Sequence, residues 1–348
     1  MRKLIALFLL LLCPLLPAQA LTLPYPEDTI LSVINLTETQ RALADYLYEP
    51  IFCGRERIDL PKGTRYDDVQ PAMLCLMADY PELFHLGHQY STHCYADQPE
   101  YATALSPQYI MTTEEAATLR AELYVRAYLM ADAETDPLAL HDALCAMVTY
   151  GGDTEKRHTA VGALLEGVAT CEGYAHALTL LYRMAGVPCG MVTGYAVGSS
   201  GDGGYHAWNI ALLECTAFID ATWNDQEASG RNTHWYYGLS TAQMAADHTP
   251  DPGLVIPWCA AQDNWHALQG FQAHSVQDVY HALTVFVRTG EAINLRIPDA
   301  GLYASLRADL NGFLDAYNQQ CPPEDGLWGS YTYAWSDAQQ CLLIARPT

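Results

Sequence analysis

The spacing of apolar and polar residues predicts alternating helices and strands along the chain. Apolar residues recur at helical intervals over Glu38–Leu47 and Asp68–Met77. A hydroxyl residue followed by acids marks a helix start at Thr112, and this helix should run to about Met130. Between these helices, Leu83–Tyr95 alternates in the manner of a strand. The first third of the chain is therefore predicted to mix both kinds of element.

The middle of the chain has the clearest pattern. Thr170–Ala185 predicts a helix, which Gly186 and the nearby proline should end. Gly190–Val197 is typical of a strand. Tyr205–Leu212 and Ala217–Trp223 predict two further strands joined by a short turn. This order indicates a helix followed by antiparallel strands.

The remaining part repeats the helix-then-strand order. Val276–Phe286 and Leu302–Tyr317 predict helices, and Ala292–Ile297 predicts the strand between them. Thr332–Trp335 and Gln340–Ala345 could pair as two strands. Upstream of the middle region, Asp136 and Pro137 should open one more helix, closed by Gly151 and Gly152. The fold class predicted for the whole chain is α+β.

The first twenty residues have the pattern of a secretory signal peptide. Met1, Arg2 and Lys3 are followed by the apolar run Leu4–Leu16, and Ala18-Gln19-Ala20 offers a small-residue cleavage site. The apolar run is too short to span a bilayer. We therefore expect cleavage after Ala20 and a secreted or cell-surface protein without a membrane span.

Charge narrows the range of partners. The 348 residues include 17 basic and 40 acidic side chains, which give a net charge of −23. Such a chain is repelled by phosphate backbones and by anionic membranes, so we expect no nucleic-acid partner. Half of the residues are hydrophobic, which favours a folded core over an acidic disordered tail. The sequence does not predict an oligomeric state.

One cysteine lies at the expected start of the middle helix. Cys171 follows Thr170, a residue type that often caps helices. The dipole and free N–H groups of a helix N-terminus stabilise a thiolate, which is the nucleophilic form of cysteine. Most cysteines on an apolar helix are inert core residues, so Cys171 alone is a weak signal.

His206 and Asp220 strengthen that signal. His206 starts the first strand of the predicted hairpin, and Asp220 lies in the second strand, so a hairpin would bring them together. Aspartate is uncommon inside strands, and His206 is its natural partner. The carboxylate would orient the imidazole, which would in turn face the thiol, as in a catalytic triad.

Three sequence blocks carry a resemblance to a known family. They are GVATCEGYAHALTLLYRMAGVPCGMVTGY, HAWNIAL and FIDATWND, in this order. Together they resemble the transglutaminase-like superfamily of papain-like thiol enzymes, in particular secreted bacterial members with a Cys-Glu-Gly-Tyr-Ala segment. HDALCAMVTY, YYGLSTAQMAADH and CAAQDNWH also match, so the resemblance covers about Asp136 to His266. The turn LLECTA and Val161 depart from the family pattern without touching the three candidate residues.

The resemblance implies a papain-like core flanked by small α/β elements. It makes Cys171 the nucleophile, His206 the base and Asp220 its orienter, with no cofactor or metal required. Trp208, Asn209 and Trp223 would line the substrate site, although ordinary packing is the simpler interpretation of Trp223. The expected division is a signal peptide (1–20), an N-terminal α/β region (21–132), a catalytic core (133–268) and a C-terminal α/β region (269–348).

Two reactions are compatible with this triad, and a third interpretation assigns the protein no catalytic activity. Water as acyl acceptor would make a peptidase or amidase acting on a protein or peptide substrate, and a lysine amine would make a protein cross-linker. We favour hydrolysis, since water needs no dedicated acceptor site. The remaining alternative is a cell-surface binding module whose triad is inert.

A histidine-rich segment suggests metal binding only weakly. His85, His88, His93 and Cys94 are close in sequence. If the segment is a strand, His85 and His88 point to opposite faces, which disfavours shared ligation. The loop at Asp202 lacks the oxygen ligands of a calcium loop. We therefore expect no metal site from either segment.

Overall fold

The computed structural model describes residues 23–199, 201–226, 231–260 and 264–347. The predicted signal peptide lies outside the described residues. Within them, no helix combines the length and hydrophobicity that crossing a membrane requires.

Eleven α-helices are assigned in the described part of the chain, in addition to short 3₁₀ and π turns. They are α1 (Glu38–Phe52), α2 (Tyr66–Asp79), α3 (Thr113–Ala133), α4 (Pro137–Met147), α5 (Cys171–Met184), α6 (Ala221–Asn224), α7 (Thr241–Met244), α8 (Trp265–Leu268), α9 (Val276–Thr289), α10 (Ala300–Ala308) and α11 (Leu310–Gln320).

The described strands form small sheets, of which the largest has five members. The strands are β1 (Ile58–Asp59), β2 (Leu86–Cys94), β3 (Ala102–Tyr109), β4 (Thr149–Tyr150), β5 (Val168–Ala169), β6 (Cys189–Val197), β7 (Gly203–Leu212), β8 (Thr216–Ile219), β9 (Asp225–Gln226), β10 (Arg231–Asn232), β11 (Tyr237–Leu239), β12 (His248–Pro250), β13 (Ile293–Arg296), β14 (Thr332–Ser336) and β15 (Cys341–Ala345). The central sheet has the order β11-β8-β7-β6-β12 and is antiparallel throughout. Two three-stranded antiparallel sheets, β1-β3-β2 and β13-β15-β14, flank it in sequence.

The α+β fold class is confirmed, and most predicted elements occur with shifted ends. One predicted helix, Leu302–Tyr317, is wrong as a single element: it is two helices, because Asp309 leaves helical geometry and caps α11 by accepting from the Gly312 N–H at 2.8 Å. The helix opened by Asp136 ends at Met147, before the predicted glycines, because the chain continues as β4 beside β5. The proposed domain limits stay a prediction.

Helix α5 lies at the centre of the largest described apolar cluster. Its residues from Gly173 to Arg183 are all buried, as expected of a helix enclosed on every side. Tyr174, Leu178 and Leu181 pack in one cluster with residues of β7 and β8. Burial of each leucine contributes about 1.5–3 kcal/mol to stability. The helix ends as predicted, with Gly186 in left-handed geometry at a φ of 82°.

Candidate active site

Cys171 is the first residue of α5, and its side chain is partly exposed. Thr170 occupies the N-cap position as expected, but its hydroxyl does not cap the helix. It donates instead to the Arg157 carbonyl at 3.3 Å and lies 3.1 Å from His158 Nδ1. The first N–H groups of α5 are therefore left uncapped by Thr170 beside the thiol, at the positive end of the helix dipole.

The two residues Gly173 and Tyr174 hold the start of α5 against the preceding segment of the chain. Gly173 lies so close to the Arg157 and Thr159 carbonyl oxygens that a Cβ atom there would collide with the chain. The Tyr174 hydroxyl donates to the Val148 carbonyl at 2.9 Å, deep in the core. These contacts fix the start of α5, and thereby the position of Cys171, against the preceding segment.

His206 lies on β7, paired with Gly194 of β6. Its Nε2 is 2.7 Å from Asp220 Oδ2, and the Cys171 thiol lies close enough to help raise the pKa of the imidazole. With Nε2 engaged by Asp220, Nδ1 is the ring nitrogen that remains available to the thiol. The structure thus brings Cys171, His206 and Asp220 into one chain of contacts.

Asp220 does not lie within a strand, which corrects the prediction. Strand β8 ends at Ile219, and Asp220 follows as the N-cap of α6, where Oδ1 accepts from the Trp223 N–H at 3.1 Å. The tendency of aspartate to cap helices explains why the strand stops there. The hairpin register Asn209–Ile219 still directs the carboxylate towards β7.

Buried charges dominate the electrostatics of this cluster. Burial acts to lower the pKa of His206, but the charge and hydrogen bond of Asp220 and the hydrogen bond of Cys171 outweigh it and raise the pKa to about 10. Burial acts to raise the pKa of Asp220, but His206 and His248 hold it well below its usual range. Both shifts favour an aspartate–imidazolium pair.

His248 is a fourth member of the cluster that sequence reasoning missed. Its Nε2 lies 3.2 Å from Asp220 Oδ2, and its Nδ1 lies 2.7 Å from Asp247 Oδ1. Burial acts to lower the pKa of His248, but hydrogen bonds to the two aspartates raise it. The Asp-His pair ends the segment YYGLSTAQMAADH, which had matched the family as a block without singling out this histidine. His206, Asp220 and His248 are close enough to share a cation, but both imidazoles stand at hydrogen-bonding distance from the carboxylate.

The three candidate substrate residues are placed differently from one another. Trp208 and Asn209 are each 1% exposed, which gives them packing roles rather than an open surface. The Asn209 amide donates at 2.9 Å to the Ala175 carbonyl and to Thr179 Oγ1, so it ties β7 to α5. Trp223 is partly exposed, and its ring centroid lies 5.3 Å from that of His206.

The histidine-rich segment has separate partners for its members. His85 Nε2 lies 2.9 Å from the Ile51 carbonyl, His88 Nε2 lies 3.0 Å from Glu172, and His93 Nε2 lies 3.0 Å from Ser106. The ten cysteines of the described residues are all free thiols.

The high pKa of His206 makes stability depend on pH. Because the folded value of about 10 exceeds the unfolded value of about 6.5, the stabilisation from His206 is full below pH 6.5 and is lost as pH rises to 10. We expect the difference in unfolding free energy between the wild type and His206→Gln to shrink across this range. Urea unfolding of both proteins at stepped pH measures it. A difference that stays constant or grows would contradict the buried ion pair.

A comparison with protein families matches the part of the chain that contains the candidate triad. Residues 125–227, which include Cys171, His206 and Asp220, match the family model described as transglutaminase-like superfamily. No curated protein matches the sequence.

Two solved structures are similar over part of the chain. A proposed cysteine protease from Cytophaga hutchinsonii is 19% identical, with 38% of this chain and 61% of that chain covered and a TM-score of 0.26. The periplasmic domain of TgpA from Pseudomonas aeruginosa, bound to ethylmercury, is 19% identical over 37% of this chain and 59% of that one, with a TM-score of 0.24. The chain thus covers less than two thirds of either protein. On the family match, the chain contains, over residues 125–227, a core of the transglutaminase-like superfamily.

Proposed function

We propose that this protein is a thiol enzyme that transfers acyl groups through a thioester on Cys171 and hydrolyses peptide or amide bonds. The observation that carries the proposal is the placement of His206, whose Nε2 lies 2.7 Å from Asp220 while the Cys171 thiol is near enough to help raise the pKa of the imidazole. A base held between an orienting carboxylate and a thiol at a helix N-terminus is the arrangement that nucleophilic catalysis needs.

The chemistry follows from these contacts. In the resting site the imidazolium of His206 already holds at Nδ1 the proton given up by the thiol, and the Cys171 thiolate attacks the substrate carbonyl carbon. The tetrahedral oxyanion is held by N–H groups at the start of α5, where Thr170 makes no side-chain cap. His206 then returns the proton to the leaving amine, and the carbon–nitrogen bond breaks to give the thioester.

The second half of the reaction uses the same groups. His206 takes a proton from water, which attacks the thioester, and the acid product leaves as the Cys171 thiol is restored. Asp220 keeps the Nε2–H of His206 pointing away from the sulfur throughout. A lysine amine in place of water would give a cross-linked protein, and the same triad serves both reactions.

Export is part of the proposal. The basic, apolar and small-residue order of residues 1–20 supports cleavage after Ala20 and action on substrates outside the cytoplasm. The net charge of −23 favours cationic or neutral peptides over acidic ones.

The test is to incubate the purified protein with a peptide and amide library, with and without an added primary amine. We expect an acyl adduct on Cys171 in the intact-mass spectrum and a free carboxylic acid as the product, with little amine incorporated. If the added amine is incorporated in preference to water, the proposed reaction is cross-linking rather than hydrolysis. No adduct and no product with any substrate would favour the inert binding module.

A further inference from the structure

Two exposed tyrosines, Tyr195 on β6 and Tyr205 on β7, lie side by side on the central sheet. They are partners in the register of the two strands, and their ring centroids are 6.3 Å apart in an edge-to-face arrangement. Tyr205 is 89% exposed and Tyr195 is 46% exposed. Aromatic rings contribute most when they are buried, so packing within the chain does not explain this tyrosine pair.

The tyrosine pair lies on the side of the sheet that carries α5. Side chains two positions apart on a strand share a face, so Tyr205, Ala207 and Asn209 form one row along β7. The Asn209 amide donates to the Ala175 carbonyl of α5. Ala207 belongs to the same apolar cluster as Ala175, and Cys171 packs against this cluster. Tyr205 follows about 7 Å further along the row, where it emerges from under the first residue of α5.

A glycine provides the place of the Tyr195 ring. A Cβ atom at Gly203 would lie 2.6 Å from this ring, because the ring rests against the backbone of β7 at that position. Tyr205 then stands at an interplanar angle of 81° to it. Within the described part of the chain, no arginine or lysine stacks on either ring. The tyrosine pair therefore offers ring faces to a group from outside the chain.

The surroundings of the tyrosine pair are acidic. Residues 184–287 include nine aspartates and glutamates but only one arginine and no lysine. Asp251 Oδ2 accepts from Thr193 Oγ1 at 2.6 Å, and Thr193 shares its strand face with Tyr195. Asp202 is exposed three positions before Tyr205. An acidic field attracts cations, and the face of a tyrosine ring does the same through its quadrupole.

We propose that Tyr195 and Tyr205 form a subsite for a cationic side chain, arginine or lysine, of the peptide substrate that Cys171 attacks. The inference rests on the proposed function and narrows its substrate class. The guanidinium or ammonium group lies over the ring faces, and the neighbouring carboxylates favour its charge. Because the row of β7 side chains runs from Cys171 to Tyr205, the cationic residue lies within a few positions of the cleaved bond.

The test measures peptide binding to the full chain with Cys171→Ala, so that the bound peptide is not cleaved. Three fluorescein-labelled alanine octapeptides, which differ only in a central arginine, glutamine or phenylalanine, are titrated by fluorescence anisotropy. The arginine peptide should have a Kd about fivefold or more below those of the other two. Tyr205→Ala should reduce this preference to less than about twofold. Tyr205→Phe should keep most of it, because the ring face rather than the hydroxyl contacts the cation.

Tyr333→Ala is the matched control, since Tyr333 is 52% exposed on β14, outside the central sheet. It should leave the three Kd values unchanged. An arginine preference that persists in Tyr205→Ala would come from the net charge of −23 and would overturn the proposal. Equal binding of the three peptides, or tightest binding of the phenylalanine peptide, would overturn it as well.

Hydrolysis by the protein with Cys171 intact gives a separate readout. For substrates that contain arginine, Tyr205→Ala should raise KM with little change in kcat, because the tyrosine pair binds the substrate and does not touch the reacting atoms. If no peptide is cleaved while the arginine preference still depends on Tyr205, the proposed hydrolysis fails and the cation subsite stands. Failure of the subsite is thus distinct from failure of the enzyme function.

Discussion

Replacing Cys171 by alanine should lower kcat/KM by about 10⁴-fold or more, because it is the thiol at a helix N-terminus that also acts on the pKa of His206. Cys145 and Cys189 are buried, and burial raises their pKa, which keeps them protonated and inert. Steady-state hydrolysis of the best peptide found by the substrate library measures the loss.

The matched control is Cys215→Ala, which removes an exposed thiol from the turn between β7 and β8. We expect its activity to equal that of the wild type. Thermal unfolding of both variants shows whether the fold is kept. Activity that survives in Cys171→Ala and falls in Cys215→Ala would move the nucleophile elsewhere.

Asp220→Asn should lower kcat by about 10³–10⁴-fold, the size of effect seen when the orienting carboxylate of a triad is neutralised. Asp220 Oδ2 accepts from both His206 and His248, and an amide offers neither the negative charge nor a second equivalent acceptor. His206 would lose its preferred tautomer and its high pKa. Stopped-assay kinetics with the same peptide measure kcat and KM separately.

The same substitution should also destabilise the protein. Removing one partner of a buried charge pair typically lowers the free energy of unfolding by about 3–5 kcal/mol. Asp220→Asn keeps the size and shape of the side chain, so its loss of stability should be smaller. Asp247→Asn is the matched control. Asp247 is a second aspartate that hydrogen-bonds to His248, and it also accepts from the Tyr236 hydroxyl. It should reduce stability with a much smaller loss of kcat. Equal losses of kcat in both variants would show that the effect is structural rather than specific to His206.

Local patterns predicted the elements that carry the candidate triad, because each depends on nearby residues. Gly186 predicted the end of α5, and the alternation of residues after His206 predicted β7. The end of β8 was harder to predict, since a strand pattern and a helix cap compete at Asp220 and the cap prevailed.

Contacts between distant segments could not be predicted in this way. His88 and Glu172 are 84 positions apart, and His248 and Asp220 are 28 apart, so nothing in the spacing of either pair signals a contact. Apolar periodicity indicates which face is buried but not which polar groups meet across the fold. The position of Asn209 is similar: next to Trp208 it suggested a substrate contact, whereas its amide joins β7 to α5.

The most direct test of the candidate triad is the rate at which iodoacetamide alkylates Cys171 near neutral pH, with the labelled site read by peptide mass. We predict that Cys171 reacts faster than a free thiol and faster than the exposed Cys53 and Cys215, because it lies at the start of α5 beside the protonated imidazole of His206. His206→Ala should slow the reaction. Labelling of Cys171 at the rate of a free thiol, unchanged in His206→Ala, would contradict the account.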